Sequence, residues 1–247
     1  MKLYHSILGG AAMIALAGPA AAATLDLTPG GSGVLNGATF TTSSSQSTGT
    51  GVIDPFVRLQ DNGVADGYNT SARPLMTDVN TSPTFTHDLL LSAIPVVTIG
   101  GVAYREFLLD INQTAANPLL SLDALQIRVS ATGSQQGTDW ASVTGTTVYN
   151  LDAGSDNTVL LNYSLNNGSG SGDLFAYIPD SVFVGGPYVY FYSMFGAAGG
   201  VYAENDGFEE WATRNPTAPI PEPETYALML AGLGVVGFMA RRRKPQA

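Results

Sequence analysis

His87 is the one histidine of this chain outside its extreme N-terminal stretch, where His5 lies. Any histidine-based acid–base chemistry would have to rest on it. Asp88 follows it directly, and on the extended strand expected over Thr84–Leu91 adjacent side chains point to opposite faces. The two therefore do not couple as a catalytic pair. There is no cysteine, which excludes thiol nucleophiles, zinc–thiolate sites and a disulfide framework. Hydrolysis by paired carboxylates needs two acids roughly 5–10 Å apart in a cleft. The body supplies only Glu106, Glu204, Glu209 and Glu210 as glutamates, and many of its aspartates sit in turn-like contexts. The chain reads as non-enzymatic.

Oxygen ligands for a hard cation are more plentiful. Calcium takes carboxylates, amides and backbone carbonyls from glycine-rich loops. Asp61-Asn62-Gly63 with Asp66, Gly67 and Asn69 forms one such candidate. Asp110 and Asn112, two apart at a strand end, could join Asp123, and Glu204, Asn205, Asp206 and Glu209 form a third group. None has EF-hand spacing, and Asp, Asn and Gly are equally the residues of ordinary turns. No cofactor is required, and calcium is the one to test. Tyr188, Tyr190 and Tyr192 alternate with Val189 and Phe191, so three tyrosines share one face of a strand. That face could stack sugar rings, or it could pack with its hydroxyls at a rim.

These residues need a scaffold, and the sequence describes one made of strands. Short β-type runs recur between turn residues: Val52–Leu59, Thr84–Leu91, Val96–Ile99, Val102–Ile111, Leu125–Ala131, Val143–Tyr149, Thr158–Leu165, Leu174–Ile178 and Tyr188–Phe195. Gly100-Gly101 marks a tight hairpin, Asn166–Gly172 a flexible loop, and Glu209-Glu210-Trp211 a final strand or cap. Leu125, Ile127 and Val129 share one face against Gln126, Arg128 and Ser130; Val159, Leu161, Tyr163 and Leu165 do the same in the next run. The Ser/Thr-rich stretch Thr41–Thr50 reads as a loop or weakly specified edge strand. Nine strands without helical crossovers predict an all-β fold, an antiparallel β-sandwich or jelly roll.

The chain carries a formal net charge of −10. Its body is more acidic still. All the acids but Glu222 and Glu224 lie there, against only Arg58, Arg73, Arg105, Arg128 and Arg214. Such a surface excludes nucleic-acid binding and suits solubility, divalent cations or neutral glycans.

Both ends carry addresses. Lys2, an apolar stretch around Ile7–Leu16 and Ala21-Ala22-Ala23 have the parts of a secretory signal peptide, with cleavage expected between Ala23 and Thr24 by the Sec export route. At the other end, Pro221-Glu222-Pro223 precedes an uncharged run, Thr225–Ala240, and then Arg241, Arg242, Arg243 and Lys244. As a helix that run measures roughly 24 Å, a short span of a hydrocarbon core about 30 Å thick. The basic cluster holds its far side in the cytoplasm. The organisation expected is a leader over 1–23, an ectodomain over 24–214, a linker over 215–220 and a sorting segment over 221–247.

The tail resembles the PEP-CTERM sorting signal: Pro-Glu-Pro, a threonine three residues after its glutamate, an Ala/Leu-rich span with Gly-Leu-Gly, and a terminal arginine cluster. The resemblance covers Pro221 to Lys244. It implies recognition by an exosortase, an integral-membrane cysteine transpeptidase, and cleavage near Pro221–Pro223. The chain would pass through the inner membrane of a Gram-negative bacterium and move on to the cell surface or the exopolysaccharide matrix. Several body segments, Glu106–Asn112 and Gly170–Ile178 among them, resemble ectodomains carried by such tails, which implies one β-rich domain and no activity. The role expected is structural or adhesive; a carbohydrate-binding module is the alternative and a matrix polysaccharide-active enzyme the third reading.

Overall fold

A computed structural model describes residues 21–47, 53–166 and 171–214, without the side chains of residues 43–47 and 171. Residues 1–20 of the leader, the linker and the whole sorting segment, with Pro221, Glu222, Pro223, Arg241, Arg242 and Arg243, lie outside the described residues. Fourteen strands follow one another: β1 (Thr24–Asp26), β2 (Ser32–Leu35), β3 (Ala38–Ser47), β4 (Ile53–Leu59), β5 (Ala65–Tyr68), β6 (Leu89–Leu90), β7 (Val96–Ile99), β8 (Val102–Asp110), β9 (Leu119–Ser130), β10 (Thr146–Asn150), β11 (Thr158–Asn162), β12 (Ser171–Pro179), β13 (Tyr188–Phe195) and β14 (Glu209–Arg214). No described helix is long and apolar enough to cross a membrane.

The strands form two seven-stranded sheets. One runs β1-β11-β9-β13-β5, with β10 beside β9 and β6 beside β13; the other runs β2-β3-β12-β8-β14-β4, with β7 beside β8. Every pairing is antiparallel except β1 with β11. The expected β-sandwich is therefore what the chain forms.

Alternation supplies the core. Leu125, Ile127 and Val129 point inward from β9, and Leu174, Ala176 and Ile178 point inward from β12. Phe56, Phe107, Phe191 and Trp211 meet at the centre, with Phe191 4.7 Å from Trp211 and 4.9 Å from Phe107. Each such burial removes a side chain from water for about 1.5–3 kcal/mol. The indole N–H of Trp211 donates to Ser193 Oγ at 3.1 Å, so its polar atom is satisfied in the apolar centre. Gly100 and Gly101, with φ of 59° and 84°, make the tight β7–β8 turn that two left-handed residues allow.

Several sequence expectations are corrected. Thr41–Thr50 is not a loop: its described part lies in β3, where β2 pairs only as far as Thr41 and β12 continues to Ser47, so beyond Thr42 it is an edge, as one of the two expectations had it. Of Thr84–Leu91 only Leu89–Leu90 is strand; turns around Ser82–Thr86 break the rest, with Thr86 N–H donating to the Ser82 carbonyl. The run from Thr158 leaves the sheet at Asn162, whose side chain accepts from Ser164 N–H and starts a 3-10 turn over Tyr163–Leu165. Leu165 is therefore exposed. Asp66–Asn69 is not a loop but β5 and its end, and β9 begins six residues earlier than its alternation alone marks.

Candidate functional site

The tyrosine face of β13 is on the outer side of its sheet, and the segment between β9 and β10 folds over it. Tyr190 is completely buried. Its hydroxyl donates to the Thr132 carbonyl at 2.9 Å and accepts from Gln135 N–H at 3.3 Å. Burial pushes this phenol up to about 12. Tyr192 and Tyr188 are half-buried beside it. Tyr192 donates to Asp66 Oδ2 at 2.9 Å and lies flat against Trp140, with centroids 5.3 Å apart and planes within 18°. The Arg128 guanidinium sits 4.2 Å over the other reach of Trp140, which donates to Gln126. The three tyrosines thus form the floor of an aromatic layer. Trp140, which sequence reasoning passed over, is the half-exposed ring above it. A lone tryptophan in a Gly/Ser/Thr-rich connection was the available signal.

The calcium candidates do not converge. Asp110 stands on β8 of one sheet and Asp123 on β9 of the other. Asp123 accepts from Ser121 Oγ at 2.6 Å and from Ala197 N–H at 2.7 Å. Asp110 lies opposite Glu210 and beside Asp173. Asn112 packs on Gly207, where a Cβ would fall 2.3 Å from Asn112 Nδ2. Asp61 offers its N–H, not its carboxylate, to Glu204 at 2.9 Å. Asp66 has Tyr192 on its carboxylate, and its N–H donates to Asp78. Asn69 is a structural clamp: it accepts from Phe191 N–H at 2.6 Å and donates to Val189 at 3.0 Å, filling the gap on β13 between β5 and β6. No group of three or more histidine, aspartate or glutamate side chains placed to hold a metal gathers among the described residues.

Two groups of acids are buried, which the sequence did not mark, although Glu204 with Glu209 and Asp110 were among the calcium candidates. Across β12, β8, β14 and β4 run Asp173, Asp110, Glu210 and Arg58, all on one outer face. Arg58 Nε donates to Glu210 at 2.6 Å, while its guanidinium lies 3.4 Å and 3.8 Å over Phe85 and Phe208. Asp173 accepts from Ile111 N–H, and its other oxygen is buried without a donor. Burial pushes it up to about 8. The alternation of Leu174, Ala176 and Ile178 inward would have placed Asp173 outward, but not buried. At the end of the sandwich Glu209 is fully buried beside Glu204, and its Oε1 accepts from Gln113 at 2.9 Å. Burial first, and the Glu204 charge second, hold Glu209 well above the usual carboxylate range.

His87 Nδ1 meets the Asp88 carbonyl at 2.9 Å, and its Nε2 is 4.0 Å from Asp54. The Asp88 carboxylate instead accepts from Ser71 N–H and from Ser134. An open depression of about 290 Å³ is bordered by Arg58, Gln60, Asp78 and Asn80, and its base is already paired with Glu210.

Comparison with family models matches residues 219–244 to the PEP-CTERM protein-sorting motif. This is the segment in which the tail resemblance was read, and it marks an exported protein handled by an exosortase. No curated protein and no solved structure matches the chain.

Proposed function

From the PEP-CTERM motif at residues 219–244, we propose that this chain delivers a non-enzymatic β-sandwich, structural or adhesive in role, to the cell surface or exopolysaccharide matrix. The leader over 1–23 takes the chain through Sec, and the apolar run Thr225–Ala240 parks it in the inner membrane while the exosortase acts near Pro221–Pro223. Prolines there keep the chain extended, as a protease-accessible segment needs. The sorting motif carries this reading. The body supports it, because Glu210, Asp123 and His87 are engaged in internal bonds.

Fractionation with mass spectrometry of the mature C-terminus tests it. Cells with the exosortase should yield a surface or matrix species ending near Pro221–Pro223. Intact chain, Lys244 included, resident in the inner membrane of such cells would overturn it. The stacked, half-exposed Trp140–Tyr192 pair favours sugar binding as the second reading. Exopolysaccharide pull-down that is lost in Trp140→Ala would support that role.

A further inference from the structure

The end of the sandwich from which the chain leaves is the apolar end. The last strand, β14, runs toward the start of β8: Glu210 is opposite Asp110, Ala212 is opposite Leu108, and Arg214 is ion-paired with Glu106. Beyond that level the β7–β8 hairpin continues in the same direction to its tip at Gly100-Gly101, with β12 beside it as far as Pro179, opposite Tyr104. From Glu106 to the tip is about five residues, or roughly 16 Å of strand. The hairpin stretch Pro95–Tyr104 contains no charged residue, in a body otherwise rich in acids. Val96, Ile99 and Val102 on it, with Leu90 and Val184 from the neighbouring connections, are 44–63% exposed. These five belong to a set of nine exposed large apolar side chains among the described residues.

The connections place all five together. Arg105 donates to the Leu91 and Ile94 carbonyls and to Asp180, tying the hairpin base to the segments that carry Leu90 and Val184. Tyr104 is half-buried at the hairpin base, edge-on to Tyr177 at 6.5 Å, an amphipathic ring behind an apolar tip. The acids are concentrated at the other end. Glu204, Glu209, Asp61, Asp78, Asp110 and Asp123 lie around the β14 start, the β8 end and the β9 start. Of the acids toward the hairpin end, Asp180 is paired with Arg105, Glu106 with Arg214, and Asp88 is held by Ser71 and Ser134, while Asp54, opposite Thr213 at the start of β4, is exposed on the neighbouring edge.

We propose that the β7–β8 hairpin, with Leu90 and Val184, is a foot that rests in the interface of the bilayer spanned by the tail. This rests on the reading of Thr225–Ala240 as a membrane span. The length of chain outside the described body is what commits the occupant. Ten residues separate Arg214 from Thr225, a reach of about 33–36 Å when extended. The hairpin needs only about half of that to reach the surface, so the tether holds the foot against the bilayer at high effective concentration. Small exposed apolar side chains flanked by a tyrosine suit the headgroup boundary. The acidic end, which anionic lipid repels, faces away. The foot fixes the orientation in which Pro221–Pro223 is offered to a membrane-embedded enzyme.

Absence of cysteine makes the test clean. Full-length Ile99→Cys, labelled with an environment-sensitive fluorophore, is reconstituted in phosphatidylethanolamine/phosphatidylglycerol vesicles. Val201→Cys, exposed at the acidic end, is the control. Carbonate extraction reads tail insertion separately. The label at position 99 should shift to the blue and be quenched roughly twofold or more by shallow nitroxide lipids, and the label at 201 should not. Val96→Asp with Val102→Asp should abolish the quenching while melting and carbonate resistance stay unchanged. An unquenched label on a carbonate-resistant chain overturns the foot and leaves the span standing. A chain extracted by carbonate overturns both. A blue shift without lipid quenching, lost on dilution, assigns the hairpin edge to a second copy and overturns the bilayer as its occupant.

Discussion

Glu209 is buried completely beside Glu204, and a proton held on Glu209 is shared with Glu204 as a hydrogen bond. One Glu209 oxygen accepts from Gln113; the other, Oε2, meets no donor and becomes one only when protonated. Glu204 in turn accepts from the Asp61 N–H, so the pair ties the turn after β4 to the segment before β14. The folded Glu209 holds a proton that the unfolded chain releases above its ordinary 4.5. Its stabilising contribution is full below that pH and is lost as pH rises through the folded value. Glu209→Gln keeps a donor in place and does not titrate. Urea unfolding between pH 4 and 9 should show the variant gaining on the natural protein as pH rises. Parallel stability curves would refute the shared proton.

Asp173 predicts a second, separable pH effect. Its ordinary value of 3.8 is raised to about 8 by burial, with the Asp110 charge adding to it. The sign is the same as for Glu209: stability is full below about pH 4 and falls between there and pH 8. In Asp173→Asn the amide oxygen can keep the Ile111 N–H, and the amide nitrogen gives the buried site a donor. At pH 8 the variant should be more stable by on the order of a few kcal/mol, with no gain at pH 4. Thermal melts at the two pH values check it.

How far these features were legible in the sequence follows from what alternation encodes. Period-two patterns revealed the inward faces of β9 and of β11 as far as Leu161, and the shared tyrosine face of β13, because one face of each packs on the core. They did not reveal β3, whose Thr- and Ser-rich residues carry no apolar contrast, or β5, whose Ala-Asp-Gly-Tyr looks like a turn. Period two also assigns a side chain to a face without saying whether that face is covered. Tyr190 and Asp173 both point outward from their sheets, and both are buried. The pairing of Glu204 with Glu209 depends on a turn that returns the chain between them, which composition does not specify. The sorting tail was legible because its signal is a linear order of residues and needs no fold.

Arg58 predicts an asymmetric mutational series. It is wedged between Phe85 and Phe208 and holds the buried Glu210, with Asp110 adding a like charge nearby. Arg58→Ala removes the counter-charge and the aromatic stack together and should cost about 3–5 kcal/mol. Replacing both partners, Arg58→Met with Glu210→Met, removes the buried charge along with its partner. That double variant should lose less than Arg58→Ala alone. Chemical denaturation of the three proteins decides it; equal losses would show that packing, not charge, sets the cost.

The aromatic layer separates a folding residue from a surface one. Tyr190→Phe deletes the hydroxyl that serves the Thr132 carbonyl and the buried Gln135 N–H. Leaving the Gln135 N–H unpaired should cost about 1–3 kcal/mol. Trp140→Ala removes a half-exposed ring and should cost less, despite its larger volume. Loss of glycan retention in a Tyr190 variant would therefore report misfolding, whereas the same loss in Trp140→Ala with an unchanged melt would report a sugar face.

The existing bonds of its proposed ligands weigh against calcium. Asp123 is held by Ser121 and Ala197, Asp66 by Tyr192, and Asn69 by β13, so an ion at these positions would have to displace existing bonds. Millimolar calcium and an excess of chelator should give the same melting temperature. A site occupied at 100 times its Kd would instead add about 2.7 kcal/mol to folding. For a domain of this size that is a shift of several degrees, well above the precision of a melt. A shift confined to calcium and abolished by Asp123→Asn would place the ion on β9; one abolished only by Asp66→Asn would place it beside Tyr192, where it would also free the Tyr192 hydroxyl from its acceptor.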